Sequence, residues 1–367
     1  MKALTIASLS LLLAGPALGQ SGITIAVLPG RPLIERTALG QILNFDFVID
    51  NHTATVIDLD RIEISAFDRT DSLELRKYIA HHGSSPGIYT IPERKIGPNQ
   101  SITVFNPFFT FDSTVDLARL RYQFTFATGR AGGRDTVLVD VAPLEYQPRT
   151  TLSLPTRGRT LVYDGHDFYS HHRRVDLSLP EVRAMKLIDN PVRYATDFCL
   201  VDDHNRLHRG NPDRIHEWIS YGAPVYAPAA GVIILAANDV PENTVVIGTL
   251  RLPPQPPTDF MRQSVGNHLV IDHGNGEFSL LAHLKPGSIT VKVGDRVERG
   301  QPVGAIGFSG DTGTHVHLHY SLLGAYGYPG GQAFPEYFSG FRRLLGSRSL
   351  AVARGPVDSG DLIDALP

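Results

Sequence analysis

A single cysteine, Cys199, stands among 367 residues, so no intrachain disulfide can form. A lone cysteine is more often a small buried hydrophobe than a nucleophile. Charge of one sign is also lacking: 34 Lys and Arg face 37 Asp and Glu, a formal net charge of −3. That removes the electrostatic case for binding nucleic acid or an anionic membrane. After the first twenty residues there is no long uninterrupted apolar run, so no stable membrane insertion is expected of the mature chain. Charged residues are 19%, too few for a long coiled coil, and the 42% hydrophobic set is too large for a disordered chain. What is plentiful is Gly, at 35, and Pro, at 26. Both break helix interiors, which disfavours a helical bundle and suits short strands joined by turns.

The start of the chain predicts a secretory signal peptide over residues 1–19. Lys2 is a short positive region, Ala3 to Leu13 is mostly apolar, Pro16 breaks the run, and Ala17-Leu18-Gly19 is a small-x-small cleavage site before Gln20. The expected product is exported, to the periplasm or the medium.

Residues 20–147 read as an antiparallel β-sandwich. Leu43 to Asp50 alternates apolar and polar residues, the period of a half-buried strand. The pattern recurs at Ile62-Glu63-Ile64, Leu120 to Phe126 and Val137 to Val141, with turn-like breaks between. Nothing in this stretch carries chemistry, so it is expected to bind, space or dock, and to offer a surface for a regulatory partner. A linker rich in Pro, Thr, Ser and Arg is expected over 148–160, a second domain over 161–345 and a tail over 346–367.

Chemistry concentrates in that second domain. Twelve of the 15 histidines lie after residue 160, and imidazole is the commonest metal ligand and general base. In His315-Val316-His317-Leu318-His319 the histidines alternate, so in a strand all three would line one face. A second signal is His283, in Ala282-His283-Leu284, after a hairpin turned by Gly274-Asn275-Gly276. A third is Asp197, in Ala195-Thr196-Asp197-Phe198: a carboxylate among apolar residues needs a cation or donors.

With those residues in view, the stretch from about Arg193 to Phe338 resembles the lysostaphin-type, or LytM-like, zinc metalloendopeptidases that cut peptidoglycan. The matching segments are Tyr221 to Ile233, Gly266 to Gly276, Ala282 to Leu284, Val291 to Gln301 and His317 to Tyr320, in family order. The resemblance implies an all-β protein: the sandwich followed by a LytM-like antiparallel β core with a groove. It also implies a zinc cofactor and peptidoglycan peptide as substrate. Carried over, Asp197 matches the carboxylate zinc ligand and His319 the ligand ending the His-x-His pair. His317 and His283 match the two unliganded catalytic histidines. His315 with His317 is the other way to choose the pair.

The sequence departs from the family where His-x-x-x-Asp would begin, because that position is Arg193. Guanidinium has no lone pair to give. A catalytic zinc usually takes three protein ligands, so a third must come from elsewhere. Ser170-His171-His172-Arg173-Arg174 resembles a segment upstream in members sharing the Arg-Tyr-Ala-x-Asp-Phe variation. His172 is the expected third ligand, with His171 or His315 as alternatives; His204, His208 and His216 rank below. Arg193 is expected to bind a substrate carboxylate. The rival function is a catalytically inactive LytM-like domain that binds cell wall or regulates a partner hydrolase.

Overall fold

The computed structural model describes residues 17–18, 22–38, 40–129, 132–187, 189–254, 260–326 and 331–366. The leader expected over 1–19 lies outside them except at Ala17 and Leu18. No helix of the described residues is long and apolar enough to cross a membrane. The chain is built almost entirely of strands and divides into two compact units.

The first unit holds residues up to Ile34, then Phe45–Leu144 and Asp176–Pro180. In one of its sheets β1 (Ile23–Leu28) pairs with β2 (Asp46–Asn51), which pairs with β5 (Ser101–Phe105). In the other, the order is β7 (Arg134–Val141), β6 (Arg119–Thr128), β3 (Ile57–Phe67) and β4 (Leu73–Ala80). These pairings are antiparallel. Alternation explains the layering. Phe47 of one sheet, with Phe45 just before its strand, meets Tyr122 and Phe124 of the other; Phe45–Tyr122 and Phe47–Phe124 are edge to face, the latter with centroids 4.8 Å apart. This is the expected antiparallel β-sandwich.

The second unit comprises Glu35–Asn44, Glu145–Val175 and Glu181–Pro367. Its frame is a ten-stranded sheet. In spatial order the strands are β13 (Arg296–Val297), β10 (Gly231–Ala237), β11 (Asn267–Asp272), β12 (Phe278–Leu284), β14 (Leu318–Leu323), β9 (Thr196–Leu200), β8 (Thr160–Asp164), β17 (Leu362–Ala365), β15 (Phe338–Leu345) and β16 (Arg348–Gly355). One face of its middle strands carries Leu269, Ile271, Leu281, Leu318, Tyr320 and Phe198 into the core. The opposite face is therefore left for the polar residues that alternate with them. The turn joining β11 and β12 closes where Gly274 and Gly276 take positive φ, which glycine adopts without steric cost.

The boundaries differ from the sequence reading: Glu35–Asn44, expected in the sandwich, belongs to the second unit, and Asp176–Pro180, expected in the second domain, belongs to the first. Residues 346–367 are not a tail: β16 and β17 pair with β15, and Val357 and Ile363 are buried. Residues 148–160 are not a loose linker. Leu152 and Leu154 enter the core, and the backbone of this stretch bonds to Pro228, Tyr226 and Ser339. In both stretches a few apolar residues find a surface that local composition does not reveal.

The segment Glu35–Asn44 supplies a buried ion pair to this unit. His166 Nε2 lies 2.9 Å from Glu35 Oε1, and both side chains are almost fully buried. Burial alone would push His166 down, but the Glu35 charge and hydrogen bond outweigh it and raise it to about 9. A folded-state pKa above the unfolded value stabilises fully below about pH 6.5, and the contribution is lost as pH rises through 9. Wild-type unfolding free energy is expected to fall by on the order of 3 kcal/mol between pH 6.5 and 9.5. In His166→Gln that fall should be much smaller, which urea titrations at several pH values will measure.

Candidate metal centre

Register brings the site together. Asp197 of β9 sits directly opposite His319 of β14, and His319 sits opposite Ala282 of β12. Strand alternation turns His319 and Ser321 away from the core face that takes Leu318, Tyr320 and Leu322. His315 and His317 precede the strand, which begins only at Leu318, yet their rings stay beside it, 4.5 Å apart. His283 would point into the core by alternation. Instead it adopts φ 62°, costly for a residue other than glycine, and its ring lies 4.8 Å from His317 and 5.7 Å from His319. His172 arrives from a turn far from these strands. Its backbone N–H bonds to Ser170 Oγ, Asn190 holds its carbonyl, and its ring lies 4.9 Å from that of His319.

Three imidazole nitrogens converge on one oxygen. Asp197 Oδ1 is 3.0 Å from His319 Nδ1, 3.4 Å from His317 Nε2 and 3.5 Å from His172 Nε2. Tautomers follow from the partners of the other nitrogens, since a carbonyl oxygen can only accept. His172 Nδ1–H donates to Gly165 O, His317 Nδ1–H to His315 O and His283 Nδ1–H to Ser309 O. In His319 Nε2 lies 3.0 Å from Ser321 Oγ, a hydroxyl that can donate or accept, so Nδ1, 3.0 Å from Asp197 Oδ1, either donates to that carboxylate or is free to bind a metal while Ser321 Oγ accepts from Nε2–H. The Nε2 lone pairs of His172 and His317 thus face a carboxylate oxygen at 3.5 and 3.4 Å, an arrangement that repels unless a cation lies between them. Burial pushes His172 down to about 4 and His283 and His319 to about 3; it also lowers His317 well below its ordinary value and raises Asp197. The imidazoles are neutral near pH 7, as metal ligands must be.

The donor set fits a metal. The ligand atoms of His172, Asp197 and His319 lie within 4.8 Å of one another, and all three residues are buried. Two nitrogens and one carboxylate oxygen are a common zinc-binding set. Two further sets overlap this one: Asp197 with His315 and His317, and His172 with Asp164 and His171. Glu336 steadies the frame by accepting from Thr196 Oγ1 at 2.8 Å and from the Leu322 backbone at 3.2 Å, tying β9 to β14 beside both ligand candidates.

Other expected residues fall elsewhere. Arg193 is fully buried, with Nε and Nη2 at 2.9 and 2.8 Å from Asp189 Oδ1 and Nη1 at 3.4 Å from Asn44 Oδ1. No part of it is presented to a ligand, which corrects the expected substrate contact: a guanidinium sequestered on a buried carboxylate is not available to another. His204, His208 and His216 join no metal-competent set among the described residues; His208 bonds to Gly210 O and packs on Trp218. Cys199 is buried, with Sγ 3.6 Å from Val316 O. Asp164 was missed by sequence reasoning. Its signal was a carboxylate ending the Leu161-Val162-Tyr163 strand, just before the histidine-bearing turn.

The sequence profile of Peptidase family M23 matches residues 258–328. Over those residues the chain is similar to that family. It is 35% identical over 143 residues to the peptidoglycan DD-endopeptidase ShyA of Vibrio cholerae serotype O1, an alignment covering 37% of this chain and 26% of that protein. The chain therefore spans about a quarter of that relative's length. Among solved structures, the catalytic domain of lysostaphin from Staphylococcus simulans aligns at 18% identity and TM-score 0.26, covering 48% of this chain and 88% of that one. A zinc-containing peptidase from Vibrio cholerae aligns at 14% identity and TM-score 0.24, covering 82% of each chain.

Proposed function

We propose that this chain is an exported zinc endopeptidase that cleaves peptide bonds in peptidoglycan stems or cross-bridges. The observation that carries the reading is the convergence of His172, His317 and His319 on Asp197 Oδ1, with lone-pair nitrogens facing a buried carboxylate. His172 Nε2, Asp197 and His319 Nδ1 would hold the metal, so the turn bearing His172 supplies the ligand that Arg193 cannot. A zinc ion there supplies a Lewis acid for the scissile carbonyl and a water of lowered pKa. The Nε2 atoms of His317 and His283 remain outside that trio. Each is held in place by an Nδ1–H bond to a backbone carbonyl, which leaves its Nε2 a lone pair, and the two rings lie 4.8 Å apart. They are suited to taking a proton from the attacking water and passing one to the departing amine. The leader pattern at the start of the chain supports export, and the M23 relationship supports a cell-wall peptide as substrate.

Purified protein is expected to contain about one zinc per chain by elemental analysis. It should cleave peptidoglycan peptides, lose that activity to a chelator and regain it with added zinc. Asp197→Ala should carry no zinc. A wild-type chain that takes up no zinc on reconstitution would end this reading.

A further inference from the structure

We propose that Asp164 and His171 form an outer receiving site that passes a divalent metal ion to the buried trio, with His172 common to both. The inference rests on the metal reading of the site and concerns how that metal arrives.

The inner trio is closed to solvent. The side chains of His172, Asp197 and His319 are 3%, 1% and 7% exposed. A hydrated cation must shed water to enter such a site, which is costly unless protein ligands replace the water in stages. The side chain of His171 is 66% exposed, and that of Asp164 is 15% exposed. Asp164, His171 and His172 present one ligand atom each within 4.8 Å of one another, as the inner trio does. A metal held by the outer set can exchange Asp164 and His171 for Asp197 and His319 while His172 stays bonded.

A second observation points the same way. Asp164 of β8 pairs directly opposite Asp197 of β9, after a register shift between Val162 and Asp164. The bulge changes which face Asp164 presents. Two carboxylates then sit opposite each other on neighbouring strands, an unfavourable pair without a cation near it. His171 is held against Asp164 by its ring and by its backbone N–H, which donates to Asp164 Oδ2 at 3.1 Å. The other flank is half-buried. His315 Nε2 is buried without a hydrogen-bond partner, and the ring lies 4.1 Å from that of Tyr163. The Asp197–His315–His317 set thus has no fully exposed member, whereas the Asp164–His171 set meets solvent through His171.

The test uses the full protein stripped of metal and mixed with cobalt(II), following the visible absorption of the bound ion by stopped flow. Asp164→Asn keeps the shape of the side chain, and His171→Ala removes a largely exposed ring, so both variants should fold. Uptake at limiting cobalt should slow by roughly tenfold or more in each, with the final spectrum and one-to-one stoichiometry unchanged. His172→Ala should lose the final complex itself. Uptake as fast as wild type in both variants overturns the proposal. So does slowed uptake with an altered final spectrum or reduced occupancy, which would make His171 or Asp164 a resident ligand. If wild-type protein binds no cobalt, the metal reading of the site has failed, an outcome distinct from failure of the handover.

Discussion

His317→Ala will keep its zinc and lose about 10²–10⁴ of its rate of peptidoglycan peptide cleavage, the range typical for removal of a positioned general acid–base group. The expectation follows from what each imidazole would leave behind. His319 presents Nδ1 to Asp197 Oδ1 at 3.0 Å and fixes its ring through Ser321. Removing it takes away a ligand, so His319→Ala should lose both metal and activity. His317 lies outside the His172–Asp197–His319 trio, with its ring 4.8 Å from His283. Its removal leaves three ligands and takes a proton acceptor. Zinc content by elemental analysis, set beside product release by chromatography, separates the two variants. Wild-type cleavage by His317→Ala would remove this residue from the chemistry. Loss of zinc in it would place the metal against the His315–His317 side instead.

Arg193→His will destabilise the second unit by about 3–5 kcal/mol without adding a ligand. The substitution restores the residue type that the family pattern has four positions before Asp197, so sequence alone would suggest a repaired metal site. The packing suggests otherwise. The Arg193 guanidinium is fully buried on Asp189, with two nitrogens within 2.9 Å of Oδ1, and reaches Asn44. A histidine is too short and too weakly basic to replace a guanidinium there, so Asp189 would keep its burial and lose the two guanidinium contacts within 2.9 Å. Breaking a buried pair by removing one partner is among the costlier substitutions. The single tryptophan, Trp218, is buried in the core of the same unit, so urea unfolding followed by its fluorescence reports the right transition. An unchanged midpoint would show that the pair contributes nothing. A second tightly bound zinc would show that position 193 reaches the metal.

How much of this was legible before folding depended on whether the signal was local. Strand alternation in Leu120 to Phe126 carried the sandwich, because a period of two maps directly onto which side chains are buried. The glycines at 274 and 276 marked a hairpin, because its positive φ suits glycine. Asp197 and His319 could be singled out as residues, but that they face each other is a matter of register between strands more than a hundred residues apart. Residues 346–367 read as a tail, because their apolar residues are sparse and the strands that receive them lie elsewhere in the sheet.

The sequence by itself determined the β-rich class, the two-part organisation and the set of side chains able to do metal chemistry. Those follow from local periodicity and residue type. Tertiary structure decided which of them meet. It brought His172 in from a turn, rotated His283 out of strand alternation through a left-handed backbone, and set Asp164 opposite Asp197 across a bulge. It also turned Arg193 onto Asp189, so the position that looked like a defect in the metal site became part of its support. Side-chain direction depends on long-range pairing, backbone handedness and burial of charge, none of which is encoded within a few residues of the side chain concerned.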